Sequence, residues 1–126
     1  MQNTIALVAV AVIAVAIIGI GFGYLVSPVR MMGSFGLRPP ASDADTYAWL
    51  RLKGIRDLAS GLVVLSLMRM TDSRSVGVAV LVFAIVPFGD MSTILGSGGS
   101  KARAFGVHGV TSAVMIVVGL VLVHAI

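Results

Sequence analysis

The sequence predicts an all-α, polytopic membrane protein, built as a bundle of four transmembrane helices. Of its 126 residues, 58% are hydrophobic and 11% are charged, whereas an ordinary soluble domain has about 25% charged residues. The mean hydropathy is +1.07. The apolar residues fall into four runs, each near the roughly 20 residues that a helix needs to cross a bilayer. A core of this size cannot bury so much apolar surface, so the lipid bilayer is the first expected partner.

The first predicted elements are a span over residues 4–26 and a long loop over residues 27–45. No Lys or Arg precedes the span, and it exceeds the roughly 7 to 15 apolar residues of a signal peptide, so we expect it to stay attached. Gly19 and Gly23 have the spacing of closely packed membrane helices. The Pro39–Pro40 pair prevents a continuous helix through the loop.

Three more spans are predicted over residues 46–70, 75–95 and 103–125, all within a single transmembrane domain, 1–126. Ser42 and Asp45, three residues apart, are typical of a capping box and place the start of the second helix near Asp43. A polar turn separates the second span from the third. The glycine-rich segment 96–102 separates the third from the fourth.

The distribution of Lys and Arg predicts the orientation. Six basic residues lie in or beside loops 27–45 and 96–102, against two in the remaining connection. The six are Arg30, Arg38, Arg51, Lys53, Lys101 and Arg103, and the two are Arg69 and Arg74. By the positive-inside rule, loops 27–45 and 96–102 are cytoplasmic and both termini lie on the opposite side.

Composition also excludes several classes of function. The net charge is +4, but the basic residues form no stripe with interleaved aromatics, so no nucleic-acid partner is expected. The chain has no cysteine, which excludes thiolate catalysis and thiolate metal ligation. We expect no cofactor and no metal, since an arginine lies at the depth of the few available oxygen and nitrogen ligands.

Four ionisable side chains are predicted to share one depth in the membrane. At about 1.5 Å per residue, Arg56 and Asp57 lie roughly 14 Å from the start of the second span, whereas Asp90 and His108 each lie roughly 10 Å from the 96–102 loop. All these distances start from the same face. Arg56, Asp57, Asp90 and His108 are therefore the candidate catalytic residues.

Helical spacing predicts how these side chains pair. Lys53 and Asp57 stand at i,i+4 and can form an ion pair. Arg56 then needs another partner, and Asp90 is the candidate, because a lone charge near mid-membrane costs at least about 2.5 to 3.5 kcal/mol. His108 can hydrogen-bond to either carboxylate. Residues predicted to share these helix faces are candidates for substrate binding: Lys53, Ser60, Phe83, Thr111, Ser112 and Met115.

Two interpretations stay open for these features. Asp90 and Arg56 could form a purely structural ion pair rather than a site. The apolar residues of the first loop, Met31, Met32, Phe35 and Leu37, are equally consistent with a lid over the four ionisable residues and with a simple connector.

The segment Gly54-Ile55-Arg56-Asp57 with Gly61, followed by an Asp in the third span and a His in the fourth, resembles a family of small four-helix membrane proteins of unknown function. The resemblance covers nearly the whole chain. It implies the four-helix fold and marks Arg56, Asp57, Asp90 and His108 as signature positions, and it implies no activity.

Two classes of function are compatible with these features. The first is an intramembrane acid/base enzyme, of isomerase, cyclase or epoxide-opening hydrolase type, that acts on a lipophilic small molecule through the Arg/Asp/Asp/His set. The second is a proton-coupled carrier of a small solute, or a structural accessory subunit. Four short helices enclose little space, so association of several copies is a further hypothesis.

Overall fold

A computed structural model describes residues 1–124 and 126, and over residues 1–124 the chain is helical with no strand. The elements in chain order are α1 (Gln2–Val26), α2 (Pro28–Met32), α3 (Ala44–Met70), α4 (Ser73–Phe83), α5 (Ile85–Gly96), α6 (Lys101–Arg103), a π-helix (Ala104–Gly109) and α7 (Val110–Leu122). The predicted all-α bundle is confirmed. Helix α4 continues into α5, and α6 continues through the π-helix into α7.

Three of these helical stretches are long and apolar enough to cross a membrane: Gln2–Val26, Ser73–Gly96 and Lys101–Leu122. They account for three of the four predicted spans. Helix α3 is 27 residues long but carries more charge, and its crossing of the membrane stays a prediction.

Local capping fixes the ends of α3 and α4. Asp43 accepts a hydrogen bond from the Thr46 backbone N–H at 2.7 Å, and Asp72 accepts one from the Ser75 N–H at 3.0 Å. These bonds favour the ionised carboxylate, so each lowers the pKa of its aspartate below the usual range. The second helix begins where the sequence predicted, although the capping side chain is Asp43 rather than Ser42.

Helices α1 and α3 pack with their backbones in close contact. A Cβ added to Gly21 would lie 2.6 Å from the Gly54 carbonyl oxygen, and one added to Gly61 would lie 2.7 Å from that of Ala14. Only glycine allows this approach, which is typical of membrane helices. The prediction for Gly19 and Gly23 was wrong in part, since nothing lies within 4 Å of a Cβ on Gly19, and the atoms nearest to a Cβ on Gly23 belong to the Met31 side chain.

The second helix pair, α4 and α7, packs through Gly77 and Gly119, where a Cβ on Gly77 would lie 3.0 Å from the Gly119 carbonyl oxygen. Beyond this contact along the chain, the α4–α5 stretch is interrupted at Ala84. Pro87 explains the interruption, because its ring removes one backbone N–H and clashes with the preceding turn. The Ser112 hydroxyl donates to the Ala84 carbonyl at 3.1 Å and so ties α7 to this kink.

The two loops that follow α1 and α5 meet at one end of the bundle. The Ser100 N–H donates to the Gly36 carbonyl at 2.8 Å, and the Arg103 guanidinium donates to the Ser34 carbonyl. Gly36 has φ +112°, a conformation that side chains rarely allow. We call this the loop end. The opposite end, near the α3–α4 turn, is filled by a packed apolar core that includes Ala6, Val76 and Leu122.

Candidate functional site

A cavity of about 300 Å³ lies between the two helix pairs. Helices α1 and α3 line one side, and α4, α5, the π-helix and α7 line the other. The backbones of α3 and α5 stay more than 8 Å apart, and the cavity occupies the space between them. It is not sealed, since Val86 and Val107 line it while remaining more than half exposed.

Polar side chains lie at the loop end of this cavity, and its remaining walls are mostly apolar. We call Lys53, Asp57, Asp90 and His108 the polar end. The apolar walls include Ile13, Val64, Val80, Phe83 and Met115. Along α1 the lining runs from Val10 to Tyr24, which corresponds to about 21 Å at 1.5 Å per residue.

On the α3 side of the polar end, Lys53 and Asp57 form the predicted ion pair. The Lys53 Nζ lies 2.5 Å from the Asp57 Oδ2. The same ammonium lies 4.7 Å from the centre of the Tyr24 ring and 5.3 Å from that of Phe35. Cation–π attraction to two rings adds to the ion pair and fixes the position of the ammonium beside the cavity.

On the opposite side of the polar end, His108 contacts Asp90. The Nδ1 of His108 is 3.4 Å from the Asp90 Oδ2, and its Nε2 is 3.2 Å from the Phe35 carbonyl oxygen. The His108 side chain is only 13% exposed and that of Asp90 is 31% exposed. Both nitrogens of one ring therefore face oxygen atoms, one from a helix and one from the first loop.

Phe35 closes the loop end of the cavity between these two pairs. Its ring centre lies 4.7 Å from that of His108, and it also contacts Lys53. Ser34, Phe35 and Met31 line the cavity, so the first loop covers the polar end, as the lid hypothesis proposed. Met32 is buried and Leu37 is partly buried, and neither lines the cavity.

A π-helix positions His108. Residues Ala104–Gly109 form this wider turn inside an otherwise α-helical stretch. A π-turn holds one more residue than an α-turn and therefore changes the direction of the side chains that follow. Nothing in the spacing of the apolar residues indicated this irregularity, and such turns are frequent at functional sites.

Eight of the ten predicted site residues line the cavity, and two do not. The eight are Lys53, Asp57, Ser60, Phe83, Asp90, His108, Thr111 and Met115. The two outside the lining are Arg56 and Ser112. Ser112 is 4% exposed, and its hydroxyl is engaged by the Ala84 carbonyl at the kink.

The structure does not place Arg56 where the sequence predicted. Its side chain is exposed on the outer face of α3, and within the described residues it forms no ion pair with Asp90, whose partner is His108. The contact of Gly21 with Gly54 and Leu58 puts Arg56 level with Gly21, five residues from the end of α1. That is about 8 Å from the loop end, and a long side chain directed toward the start of α3 can reach the headgroups from there.

Tyr24 and Phe35, whose rings lie beside the Lys53 ammonium, were not among the predicted site residues. Tyr24 is 2% exposed and its hydroxyl donates weakly to the Met31 carbonyl at 3.4 Å. Its signal in the sequence was a single tyrosine near the end of an uncharged span. Phe35 was noted only as part of a lid, because its contacts depend on how the loop folds back.

The polar end contains groups that can transfer a proton. Among the described residues no group of three or more His, Asp or Glu side chains could hold a metal ion. A carboxylate beside an imidazole can pass a proton, and an ammonium beside them can stabilise negative charge on an oxygen.

The fold and the cavity define a small all-α membrane protein with ionisable side chains at one end of an apolar cavity. A family model described as Domain of unknown function (DUF4267) matches residues 14–122, and the chain belongs to this family. The matched range includes the whole polar end. No curated protein and no solved structure gives a significant match.

Proposed function

We propose that the chain is an intramembrane acid/base enzyme that moves a proton on a lipophilic substrate held in the cavity. The observation that carries the proposal is the contact between His108 and Asp90, at 3.4 Å, inside a cavity whose other walls are largely apolar. Substrate isomerisation, cyclisation or epoxide opening would use such a pair. Because the cavity opens between helices, a lipophile can enter from the bilayer.

In an isomerisation, each residue of the polar end has a separate role. The Asp90 carboxylate accepts a proton from a carbon beside a carbonyl, while the His108 imidazolium donates its Nδ1 proton to the carbonyl oxygen. For a carbonyl compound with a β,γ double bond the product of this step is a dienol. Asp90 then returns its proton to the γ carbon and the dienol hydroxyl returns its proton to His108, which moves the double bond into conjugation. Lys53 stabilises negative charge on the oxygen, and Asp57 is a positioning residue that holds the ammonium.

The experiment compares lipophilic molecules that copurify with the wild type, Asp90→Asn and Arg56→Gln proteins, identified by liquid chromatography and mass spectrometry. We expect wild type and Arg56→Gln to retain the same molecule. Asp90→Asn should retain a different one, its unconverted precursor. Identical molecules in equal amounts from all three proteins would contradict proton chemistry at Asp90.

A proton-coupled carrier is the second candidate, because the titratable His108–Asp90 pair joins two different helical stretches beside an opening. The packed apolar core at the far end of the bundle favours the enzyme, since a carrier needs access from both ends. A carrier would show pH-dependent uptake of a solute into proteoliposomes, lost in Asp90→Asn. We expect no such uptake.

The membrane arrangement is part of the proposal. Helix α3 packs against α1 at both Gly54 and Gly61, which supports its being a membrane span, the second along the chain. We propose that the loop end, with its basic residues, faces the cytoplasm and that the termini face the opposite side. Because the chain has no cysteine, a single Ser97→Cys or Asp72→Cys labelled by an impermeant maleimide reports the orientation.

A further inference from the structure

The two contacts of the His108 ring determine how many protons the polar end holds. The Phe35 carbonyl can only accept, so the Nε2 that faces it at 3.2 Å carries a hydrogen. The Nδ1 lies 3.4 Å from the Asp90 Oδ2, and an ionised Asp90 beside a neutral ring would leave one uncompensated charge among apolar walls. One further proton is therefore held by the His108–Asp90 pair, on either residue.

This proton count makes the polar end electrically neutral. If the shared proton is on the ring, an imidazolium faces a carboxylate; if it is on Asp90, both groups are uncharged. Lys53 and Asp57 cancel each other in the same way at 2.5 Å. The described residues that line the cavity include no other Asp, Glu, Lys, Arg or His.

A charged headgroup would therefore enter without a counter-charge. An unpaired charge in a cavity with apolar walls loses its hydration and gains no compensating attraction. An uncharged oxygen avoids this cost. It can also accept a hydrogen bond, since Lys53 has more N–H groups than Asp57 can accept and the His108–Asp90 pair can donate its shared proton.

The apolar part of the cavity defines the rest of the ligand. The lining extends about 21 Å along α1 from the polar end. A narrow cavity of about 300 Å³ fits one extended chain better than a lipid with two acyl chains.

We infer that the site takes a single-chain, uncharged lipophile with a carbonyl, hydroxyl or epoxide oxygen at one end, and that it discriminates against fatty-acid anions and fatty amines. This inference rests on the site of the proposed function and names its substrate class.

The test uses four probes with the same tail: lauraldehyde, lauryl alcohol, laurate and laurylamine. Each is added at an equal mole fraction to nanodiscs holding the full chain, and bound molecules are counted by native mass spectrometry. Ser60→Phe, which fills the cavity wall, gives the background for each probe. We expect the aldehyde and the alcohol to bind above background and both charged probes to bind at least about tenfold more weakly.

Charge-shifting variants make the test specific to the polar end. Asp57→Asn leaves the Lys53 charge uncompensated and should shift the preference toward laurate. Lys53→Met leaves Asp57 uncompensated and should shift it toward laurylamine. Arg56→Gln is the matched control, because this neighbouring arginine does not line the cavity, and its probe preference should equal that of wild type. Thermal unfolding identifies any variant that fails to fold. The comparison of the four probes on the wild type does not depend on such a variant.

The outcomes separate this inference from the proposed function. Equal or tighter binding of laurate or laurylamine by the wild type overturns the neutral-ligand inference and leaves proton transfer at Asp90 untouched. Selective binding of neutral probes supports the neutral-ligand inference whatever molecules copurify. If wild type and Asp90→Asn also retain the same copurified molecule, that second result contradicts the proposed enzyme and leaves the neutral-ligand inference standing.

Discussion

The imidazole of His108 and the carboxylate of Asp90 approach within 3.4 Å across the gap between the π-helix and α5. Neither residue is close to the other in sequence, and each belongs to a stretch whose regular helix is interrupted, by the π-turn in one and by the kink near Pro87 in the other. The contact therefore depends on two departures from ideal helices.

The Asp90→Asn substitution should separate a site from a structural ion pair. The asparagine amide can donate to Nδ1 while Nε2 still donates to Phe35, so the ring keeps its hydrogen bond and a polar neighbour without a shared proton. We expect the free energy of unfolding in detergent to change by less than about 1 kcal/mol. His108→Ala, which also loses the ring contact with Phe35, should cost about 1–3 kcal/mol. Equal destabilisation by the two variants would favour a structural ion pair.

Gly21→Ala should destabilise the bundle. The new Cβ would lie 2.6 Å from both the Gly54 oxygen and the Leu58 nitrogen, so the two backbones must separate. Overpacking of this kind costs about 1–3 kcal/mol. The matched control is Gly19→Ala on the same helix, with nothing within 4 Å of the new Cβ. Its free energy of unfolding, measured with heat or denaturant, should equal that of wild type or exceed it by up to about 1 kcal/mol. A Gly19→Ala variant as unstable as Gly21→Ala would contradict the packing.

Phe35→Ala should open the loop end of the cavity. With Ser60→Cys as the only thiol in the chain, the labelling rate by a water-soluble maleimide reports access to the cavity. We expect the rate to rise several-fold when the Phe35 ring is removed. Leu37→Ala is the control in the same loop, since this residue does not line the cavity. If both variants label at the wild-type rate, Phe35 does not cover the polar end.

The caps of α3 and α4 predict a loss of stability in acid. The pKa values of Asp43 and Asp72 are lowered from 3.8 in the folded chain by backbone hydrogen bonds. A group whose pKa is lower in the folded chain adds to the free energy of unfolding when the pH is above its unfolded-state pKa. This contribution is lost as the pH falls through the folded-state pKa. Asn retains a capping oxygen without the charge. The melting temperature of wild type should therefore exceed that of Asp43→Asn/Asp72→Asn at neutral pH, and the difference should close below about pH 3.8. A difference in melting temperature that persists in acid would contradict the assignment of the two aspartates as ionised helix caps.

The helix ends could be predicted because their signals are local. Pro39–Pro40, the polar segment that follows them and the glycines after Leu95 each act within a few residues, and the structure begins α3 at Ala44 and ends α5 at Gly96. The Lys53–Asp57 pair was predicted for the same reason, since both residues are on one helix.

The direction of Arg56 could not be predicted from charge alone. The cost of burying a lone charge suggested that the charged residues in the middle of α3 share one inward face, whereas the contact with α1 is set by glycine. Gly54, Asp57, Gly61 and Val64, spaced by three, four and three, are the buried residues of α3. Arg56 lies outside that face. The small residues were the better guide, because they decide where two backbones can meet.

The π-turn that positions His108 adds one residue to a helix that is otherwise continuous from Lys101 to Leu122. The Gly77–Gly119 contact and the hydrogen bonds of Ser100 with Gly36 and of Arg103 with Ser34 use residues outside this turn. A site of this kind can arise in an existing helical bundle by a single-codon insertion, without redesign of the scaffold. A single-codon deletion is correspondingly the smallest genetic change that would return the histidine to an ordinary helical position.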